Sequence, residues 1–155
     1  MKLVPPELGF KARNTRGAID PVNQAINYVY GMLYGEVWRA LVKVGLDPYF
    51  GFMHGSERDQ GSLVFDLIEE FRPPFADRLV LAMLGRGLTP ETGAHGFLHT
   101  RIRRLLAQGF ARAWNKKIRW RRRMIAPAAI LEHQASALVK LILGQGEYQP
   151  FHMRW

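Results

Sequence analysis

The chain has 155 residues, a formal net charge of +9 and no cysteine. This length fits one domain that buries roughly two thirds of its unfolded surface. The absence of cysteine excludes disulfides and thiolate metal sites. No apolar run reaches the roughly 20 residues that a transmembrane helix needs, and the N-terminus lacks the apolar core of a signal peptide. The composition therefore predicts a soluble, cytoplasmic protein without a membrane segment, and its charge favours a polyanionic partner.

Residues 1–19 are predicted to form an irregular, basic arm or the remnant of a linker. Two prolines and two glycines interrupt the stretch, which shows little hydrophobic periodicity. A solvated tail is the preferred interpretation, and a DNA-contacting arm is the alternative. The basic residues concerned are Lys11, Arg13 and Arg16.

The following segment predicts a long helix that begins after Asp20 and ends at Gly45. Aspartate is a favoured N-cap, and Pro21 suits the first helical position. Glycine can close the helix in a left-handed conformation. Apolar residues recur at three- and four-residue spacing at Val22, Ile26, Val29, Leu33, Val37, Ala40 and Val44. Glu36 lies at the margin of this stripe, where an ion pair with Arg39, Arg58 or another basic residue is favoured over a metal role.

Three shorter helices and one basic apolar segment complete the predicted bundle. Apolar periodicity, bounded by prolines and glycines, places the helices at about 62–71, 75–84 and 126–143. Leu141 is among the predicted buried residues of the last helix, and the basic segment starts at Thr100. The sequence thus predicts an all-α fold, a single bundle of about five principal helices over residues 20–155.

A predicted loop and an aromatic tail lie outside these helices. Glycines favour a loop at about 89–97, and the nearby His95 and His99 have no acidic neighbours that would make them a metal pair. The tail contains Tyr148 and Phe151, and we expect it to dock on the bundle.

The basic segment contains ten lysines and arginines between residues 101 and 123 and no acid. A solvated helix face usually mixes both signs of charge, so the segment is interpreted as a phosphate-contacting surface interleaved with Trp114 and Trp120. Simple solubility is the alternative. The predicted DNA-binding residues are Arg112, Lys116, Lys117, Arg119, Arg121, Arg122 and Arg123.

A histidine and two acids stand close together near the middle of the chain. His54 lies in a glycine-flanked turn, and Asp66 and Glu69 are three residues apart in a run that is predicted to be helical. Carboxylates suit Mg²⁺ or Mn²⁺, and an imidazole shifts the preference towards Mn²⁺. On spacing alone, the favoured alternative is a turn histidine beside a solvated acidic face that includes Glu70 and interacts with Arg72.

The same stretch resembles a known family. GLDPYFGFMHG followed by SLVFDLIEEFRP is similar to the catalytic segment of the CRISPR-associated integrase, the DNA-cutting and DNA-joining subunit of spacer acquisition. The likeness extends upstream through DPVNQAINYVYGMLYGEV and downstream to HQASALVKLILGQGEYQPF. The resemblance implies the family's α-helical catalytic domain.

By this resemblance, the family's metal-binding histidine falls on His54 and its second acidic ligand on Glu69, with Asp66 the neighbouring acid of the motif. A further family glutamate, from a helix before FKARNTRGAIDPVN, has no match here, and the family's N-terminal β-rich dimerisation domain is absent. The implied function is Mg²⁺- or Mn²⁺-dependent DNA cleavage and strand transfer, catalysed with His54, Asp66 and Glu69. The implied partners are DNA and, in the full-length family, a second copy or the second spacer-acquisition subunit.

Two other functions remain open from the sequence. A non-catalytic DNA-binding or scaffolding fragment is favoured by the missing glutamate. A basic protein of the membrane surface is disfavoured, because the apolar stripes are accounted for by an internal core.

Overall fold

The computed structural model describes residues 4, 6–14, 17–51, 62–93 and 95–153. In these ranges the α-helices are α1 (Pro21–Lys43), α2 (Ser62–Ile68), α3 (Arg78–Leu84), α4 (Thr100–Asn115) and α5 (Pro127–Ile142). A 3₁₀ turn (Pro6–Leu8) precedes α1, and a π-helical turn (Pro73–Asp77) leads into α3. Strands β1 (Ile118–Trp120) and β2 (Arg123–Ile125) form an antiparallel hairpin between α4 and α5. The predicted all-α bundle of about five helices is confirmed, and none of the described helices has the length and apolarity to cross a membrane.

Helix α1 is the centre of the bundle and contacts the other four helices. The predicted cap is present, because the Asn23 N–H donates to Oδ1 of Asp20 at 2.8 Å. At the other end Gly45 has a φ of 81°, and the Leu46 N–H donates to the Leu41 carbonyl at 3.0 Å. The predicted stripe is buried except for the half-buried Val44. Local rules therefore define this helix at both ends.

Glu36 lies on α1 and forms the predicted ion pair with Arg39. The two residues are three apart, so the pair lies along one side of the helix. The structure thus agrees with the structural interpretation of Glu36.

Helix α2 ends at Ile68, three residues before the predicted end at Phe71. Pro73 and Pro74 then occupy the first positions of the next helical turn, where their missing N–H groups are not needed. This arrangement buries both Phe71 and Phe75, which stack at a centroid distance of 6.2 Å. The prolines therefore start the next helical segment as well as ending the previous one.

The basic segment does not form one continuous helix. Helix α4 ends at Asn115, and Lys116 takes an extended conformation that leads into β1. Ile118, Trp120 and Ile125 favour strand structure because they are β-branched or aromatic, and all three are partly buried against the core. The basic residues are consequently divided between a helix and a hairpin.

The N-terminal arm is attached to α1 over residues 12–14. Asn23 is 1% exposed, and its side chain donates to the Ala12 carbonyl at 2.8 Å and accepts from the Asn14 N–H at 2.9 Å. Arg13 is half-buried and donates to Oδ1 of Asn23 at 3.1 Å. The expectation of a solvated tail is therefore wrong for these residues, because a buried asparagine needs the arm's backbone groups as partners.

The aromatic tail docks on the bundle, as predicted. Phe151 is 2% exposed and stacks on Phe71 at a centroid distance of 5.0 Å. In contrast, the prediction that Leu141 is buried is wrong, because its side chain is 42% exposed and lines a surface cleft. Leu141 lies in the last turn of α5, where Ile142 and Leu143 are exposed as well.

Candidate active site and nucleic-acid interface

Two of the three predicted site residues line one wall of a cleft of about 570 Å³. Asp66 lies in α2, and Glu69 lies in the turn directly after it. Residues three apart on a helical path point to the same side, so both acids reach this cleft. The remaining lining is mostly apolar and includes Leu63, Leu67 and Leu138. His54 lies outside the described residues.

Glu69 belongs to a chain of charged groups. Its carboxylate accepts a hydrogen bond from the Arg72 guanidinium at 2.9 Å, and Nε of Arg72 lies 3.7 Å from Oδ2 of Asp77. The Arg72 guanidinium also lies 5.9 Å from the centroid of the Tyr30 ring. Burial lowers the pKa of Arg72, but the negative charges of Glu69 and Asp77 outweigh this effect and raise it. The expected interaction of Arg72 with the acidic face is thus confirmed for Glu69.

Asp77 and Arg13 extend this charged chain into the protein. Burial raises the pKa of Asp77, although the nearby Arg72 and Arg13 oppose the rise. Burial also lowers the pKa of Arg13, and Asp77 is the largest opposing influence. The half-buried Asp77 is therefore paired with Arg72 and also lies within the electrostatic influence of Arg13. The ion pair between Arg72 and Asp77 restrains both side chains.

Asp77 was not identified from the sequence. It lies five residues after Arg72, and an α-helix does not place residues five apart on the same side. The π-helical turn over Pro73–Asp77 has hydrogen bonds between residues five apart and aligns them. The available signal was a pair of prolines with an acid three residues after the second one, but the spacing rules for α-helices do not detect it.

The donor chemistry at Asp66 and Glu69 fits a hard divalent cation in part. Carboxylate oxygens are the ligands that Mg²⁺ and Mn²⁺ prefer. Within the described ranges, however, no cluster of three or more histidines, aspartates and glutamates forms. The described part of the chain thus supplies two acids on one wall, one of them bound by Arg72.

Glu70 follows Glu69 directly but has a different role. It accepts hydrogen bonds from the Phe151 N–H at 2.7 Å, from Nε2 of Gln134 at 3.0 Å and from the Tyr148 hydroxyl. Burial raises the pKa of the Tyr148 hydroxyl, and its hydrogen bond to the Glu70 carboxylate raises it further. The interpretation of Glu70 as part of a solvated face is therefore wrong, because Glu70 fixes the tail that lines the cleft. Gln134 is fully buried and was also missed.

The predicted DNA-binding residues are all exposed. Arg112 lies near the end of α4, Lys116 and Lys117 connect α4 to β1, and the other four belong to the hairpin. Trp114 is 4% exposed and stacks on Phe110 at 5.4 Å, so it belongs to the core. Its expected place in a nucleic-acid surface is wrong, because it faces the apolar side of α4. Trp120 is partly buried, and its ring contacts His133 at 5.0 Å.

Comparison with known proteins gives consistent results. Residues 1–113 match the family model described as CRISPR associated protein Cas1. A Thermus thermophilus protein named CRISPR-associated endonuclease Cas1 3 is 37% identical over an alignment of 163 positions, which covers 99% of this chain and 48% of the relative. The chain thus spans about half the length of this curated relative.

Solved structures share the fold. The structure titled casposase bound to integration product has a TM-score of 0.86 and 25% identity, and the match covers 97% of this chain and 45% of that one. A chain of a Cas6-RT-Cas1–Cas2 complex has a TM-score of 0.76 and 21% identity, over 92% of this chain and 16% of that one. The match to the family model over more than half of the chain and the similarity to the Thermus protein show that the chain belongs to the Cas1 family of CRISPR-associated proteins.

Proposed function

We propose that this chain is the helical catalytic part of a metal-dependent DNA endonuclease and integrase. The observation that carries the proposal is the common position of Asp66 and Glu69 on one wall of a cleft. The names of the similar proteins, an endonuclease and a casposase bound to an integration product, support cleavage and joining of phosphodiester bonds. Residues 20–155 would form the catalytic-type domain, and residues 1–19 its arm.

His54 and Glu69 would hold Mg²⁺ or Mn²⁺, with Asp66 as a third ligand or as an acceptor beside it. A divalent cation bound there would activate the attacking hydroxyl or water and offset negative charge on the scissile phosphate. For this role the Glu69 carboxylate has to leave Arg72. Asp77 lies 3.7 Å from Arg72 and would keep the guanidinium paired in that state.

DNA is the proposed substrate, and the exposed basic residues would contact its phosphates. Their binding should weaken steeply with salt, because each neutralised phosphate releases counterions. The complex that contains both Cas1 and Cas2 supports the second spacer-acquisition subunit as a protein partner, and the resemblance also implies a homodimer. These partners would belong to the full-length protein.

The metal site can be tested by calorimetric titration with Mn²⁺ and by nicking of a branched DNA. We expect weak Mn²⁺ binding by this chain, because two acids and one histidine leave much of a six-donor shell to water. A version extended upstream by the family's glutamate-bearing helix should bind Mn²⁺ and cut DNA. Both activities should be lost in His54→Ala and Glu69→Ala and kept in Glu91→Ala, which removes an exposed acid outside the cleft.

Two results would contradict this proposal. Tight Mn²⁺ binding and cutting by the present chain would show that its own residues complete the site without the upstream glutamate. An extended chain that binds DNA but cuts none with either metal would overturn the catalytic assignment.

A non-catalytic DNA-binding or scaffolding role is the second candidate. It is favoured because Glu69 is bound by Arg72 and the described ranges contain no three-ligand cluster. This role predicts salt-dependent DNA binding that neither His54→Ala nor Glu69→Ala changes, with no metal-dependent nicking by either version of the chain.

A further inference from the structure

The turn of the β1–β2 hairpin has an unfavourable backbone conformation. Trp120 pairs with Arg123 across the ladder, so the turn consists of Arg121 and Arg122 alone. Their φ angles are 45° and 66°. Two-residue hairpin turns of this kind favour Asn-Gly, since a side chain with a Cβ is strained at positive φ. Two consecutive arginines therefore occupy positions that the fold alone would give to other residues.

The direction of this tip is fixed by packing along the inner face of the hairpin. Ile118 and Ile125 are paired across the strands and partly buried against the core. The Trp120 ring meets the His133 ring edge to face at 5.0 Å, which places the hairpin on α5. The Arg121 guanidinium lies 4.6 Å from the centroid of the Trp120 ring. The inner face of the hairpin is thus supported by the bundle up to the residue before the turn, and its outer face and turn stay exposed.

No acid of the described ranges neutralises the hairpin's charge through an ion pair. The acid on α5 beside the contact residue His133 is Glu132, and its carboxylate binds Nζ of Lys43 at 2.7 Å. The exposed cations of the linker and hairpin are Lys116, Lys117, Arg119, Arg121, Arg122 and Arg123. Like charges concentrated at a strained turn destabilise the free protein, so their presence indicates an external anionic partner.

We propose that the β1–β2 hairpin enters the major groove of duplex DNA as a two-stranded ribbon, with Arg121 and Arg122 at its leading end. This inference rests on the proposed DNA-binding function. The major groove is about 8.5 Å deep and admits a two-stranded ribbon. The outward face carries the cross-strand pair of Arg119 and Met124, both exposed.

The groove offers suitable partners for these arginines. A guanidinium can donate two hydrogen bonds to O6 and N7 of guanine, and an apolar side chain can contact the methyl group of thymine. Lys116 and Lys117, at the base of the ribbon, are placed for flanking phosphates. Duplex RNA is a poor alternative because its major groove is too narrow and deep for side chains to read. The hairpin should accordingly prefer duplex DNA to duplex RNA.

The test is the double substitution R121N/R122G in the full chain. Asn-Gly suits the turn, so the urea midpoint of unfolding should rise, which excludes misfolding as a cause of lost binding. Affinity for duplex DNA should fall about 10- to 100-fold at low salt, and the slope of log affinity against log salt should decrease in magnitude by up to about 2. The matched control R86Q/K140Q removes two exposed cations outside the hairpin and should change affinity less than about threefold.

Chemical protection of the groove is the second measurement. The wild-type chain should protect guanine N7 from dimethyl sulfate, and R121N/R122G should not, because N7 lies in the major groove. An unchanged affinity and footprint in R121N/R122G would overturn the proposal, and so would an equal loss in the control or equal affinity for duplex RNA. Loss of metal-dependent cutting alone would refute only the catalytic function. Failure of the wild-type chain to bind DNA would refute both.

Discussion

Replacing Glu70 with alanine should release the C-terminal tail from the bundle. The carboxylate accepts hydrogen bonds from the Phe151 N–H, Nε2 of Gln134 and the Tyr148 hydroxyl. Gln134 would keep a partner, because its Nε2 also donates to the Gln149 carbonyl at 2.9 Å. The Phe151 N–H and the Tyr148 hydroxyl would lose the Glu70 acceptor in a buried environment. The loss of these two hydrogen bonds determines how far Glu70→Ala destabilises the protein.

Each buried donor that loses its acceptor costs about 1–3 kcal/mol, so two such donors cost about 2–6 kcal/mol. Removing the carboxylate also removes the cost of desolvating it, which places the expected loss at about 3 kcal/mol. If the tail detaches instead, the buried Phe151 ring is exposed, at a cost of about 1.5–3 kcal/mol. Either route gives a similar destabilisation. Tyr148→Phe removes the hydroxyl that donates to Glu70 and accepts from Nε2 of Gln134, and should cost about 1–2 kcal/mol.

Urea unfolding followed by circular dichroism measures this loss. With a slope of about 2 kcal/mol per molar urea, Glu70→Ala should lower the midpoint by about 1.5 M. The control is Glu147→Ala, which removes an exposed acid of the same tail and should change stability by less than about 0.5 kcal/mol. The effects of Glu70→Ala and Tyr148→Phe should not add, because the two side chains share one bond. Equal midpoints for Glu70→Ala and Glu147→Ala would refute the role of Glu70 in holding the tail.

Two further substitutions test the attachment of the arm and the turn before α2. Asn23→Ala should lower the free energy of unfolding by about 2–4 kcal/mol, because removing the buried amide takes away the donor of the Ala12 carbonyl. Limited proteolysis should then cut faster near residue 12. Gly51→Ala should lower the free energy of unfolding by about 1–3 kcal/mol and reduce the thermal midpoint, since an added Cβ would lie 2.7 Å from the carbonyl carbon of Ser62. Gly35→Ala is its control, since a Cβ there meets open space within a helix and should stabilise slightly; equal effects of the two glycine substitutions would contradict the steric reasoning.

Local patterns were sufficient to predict α1 and the number of helices. The N-cap at Asp20 and the left-handed Gly45 depend on residues only a few positions away. Such short-range signals act in the same way in any fold, so they can be identified before the tertiary structure is known. The burial of the α1 stripe followed from the same periodicity.

The surroundings of Glu69 could be predicted only in part. Its interaction with Arg72 follows from three-residue spacing, but Asp77 requires a π-helical turn and Arg13 comes from the N-terminal arm. Neither arrangement follows from α-helical periodicity. The role of Glu70 was missed for a related reason, because its partners are 64 to 81 residues away in sequence.

The basic segment shows how charge can conceal a change of secondary structure. Ten cations without an acid predicted a polyanionic partner, and this feature is independent of how the backbone folds. The hairpin, in contrast, depends on how Ile118 and Trp120 pack on the core. Trp114 was misassigned because its neighbours in sequence are charged while its side chain faces Phe110.

The attachment of the tail to Glu70 also affects the order of folding. A ribosome releases residues 62–71 long before residues 148–151, so the turn after α2 has no partner for Glu70 until residues 148–151 emerge. Closing a loop of about 80 residues is slow relative to forming α1 or α4, whose contacts are local. We therefore expect the helices to form first and the wall that carries Asp66 and Glu69 to become ordered last, when the tail docks. Cleft formation would then coincide with docking of the tail.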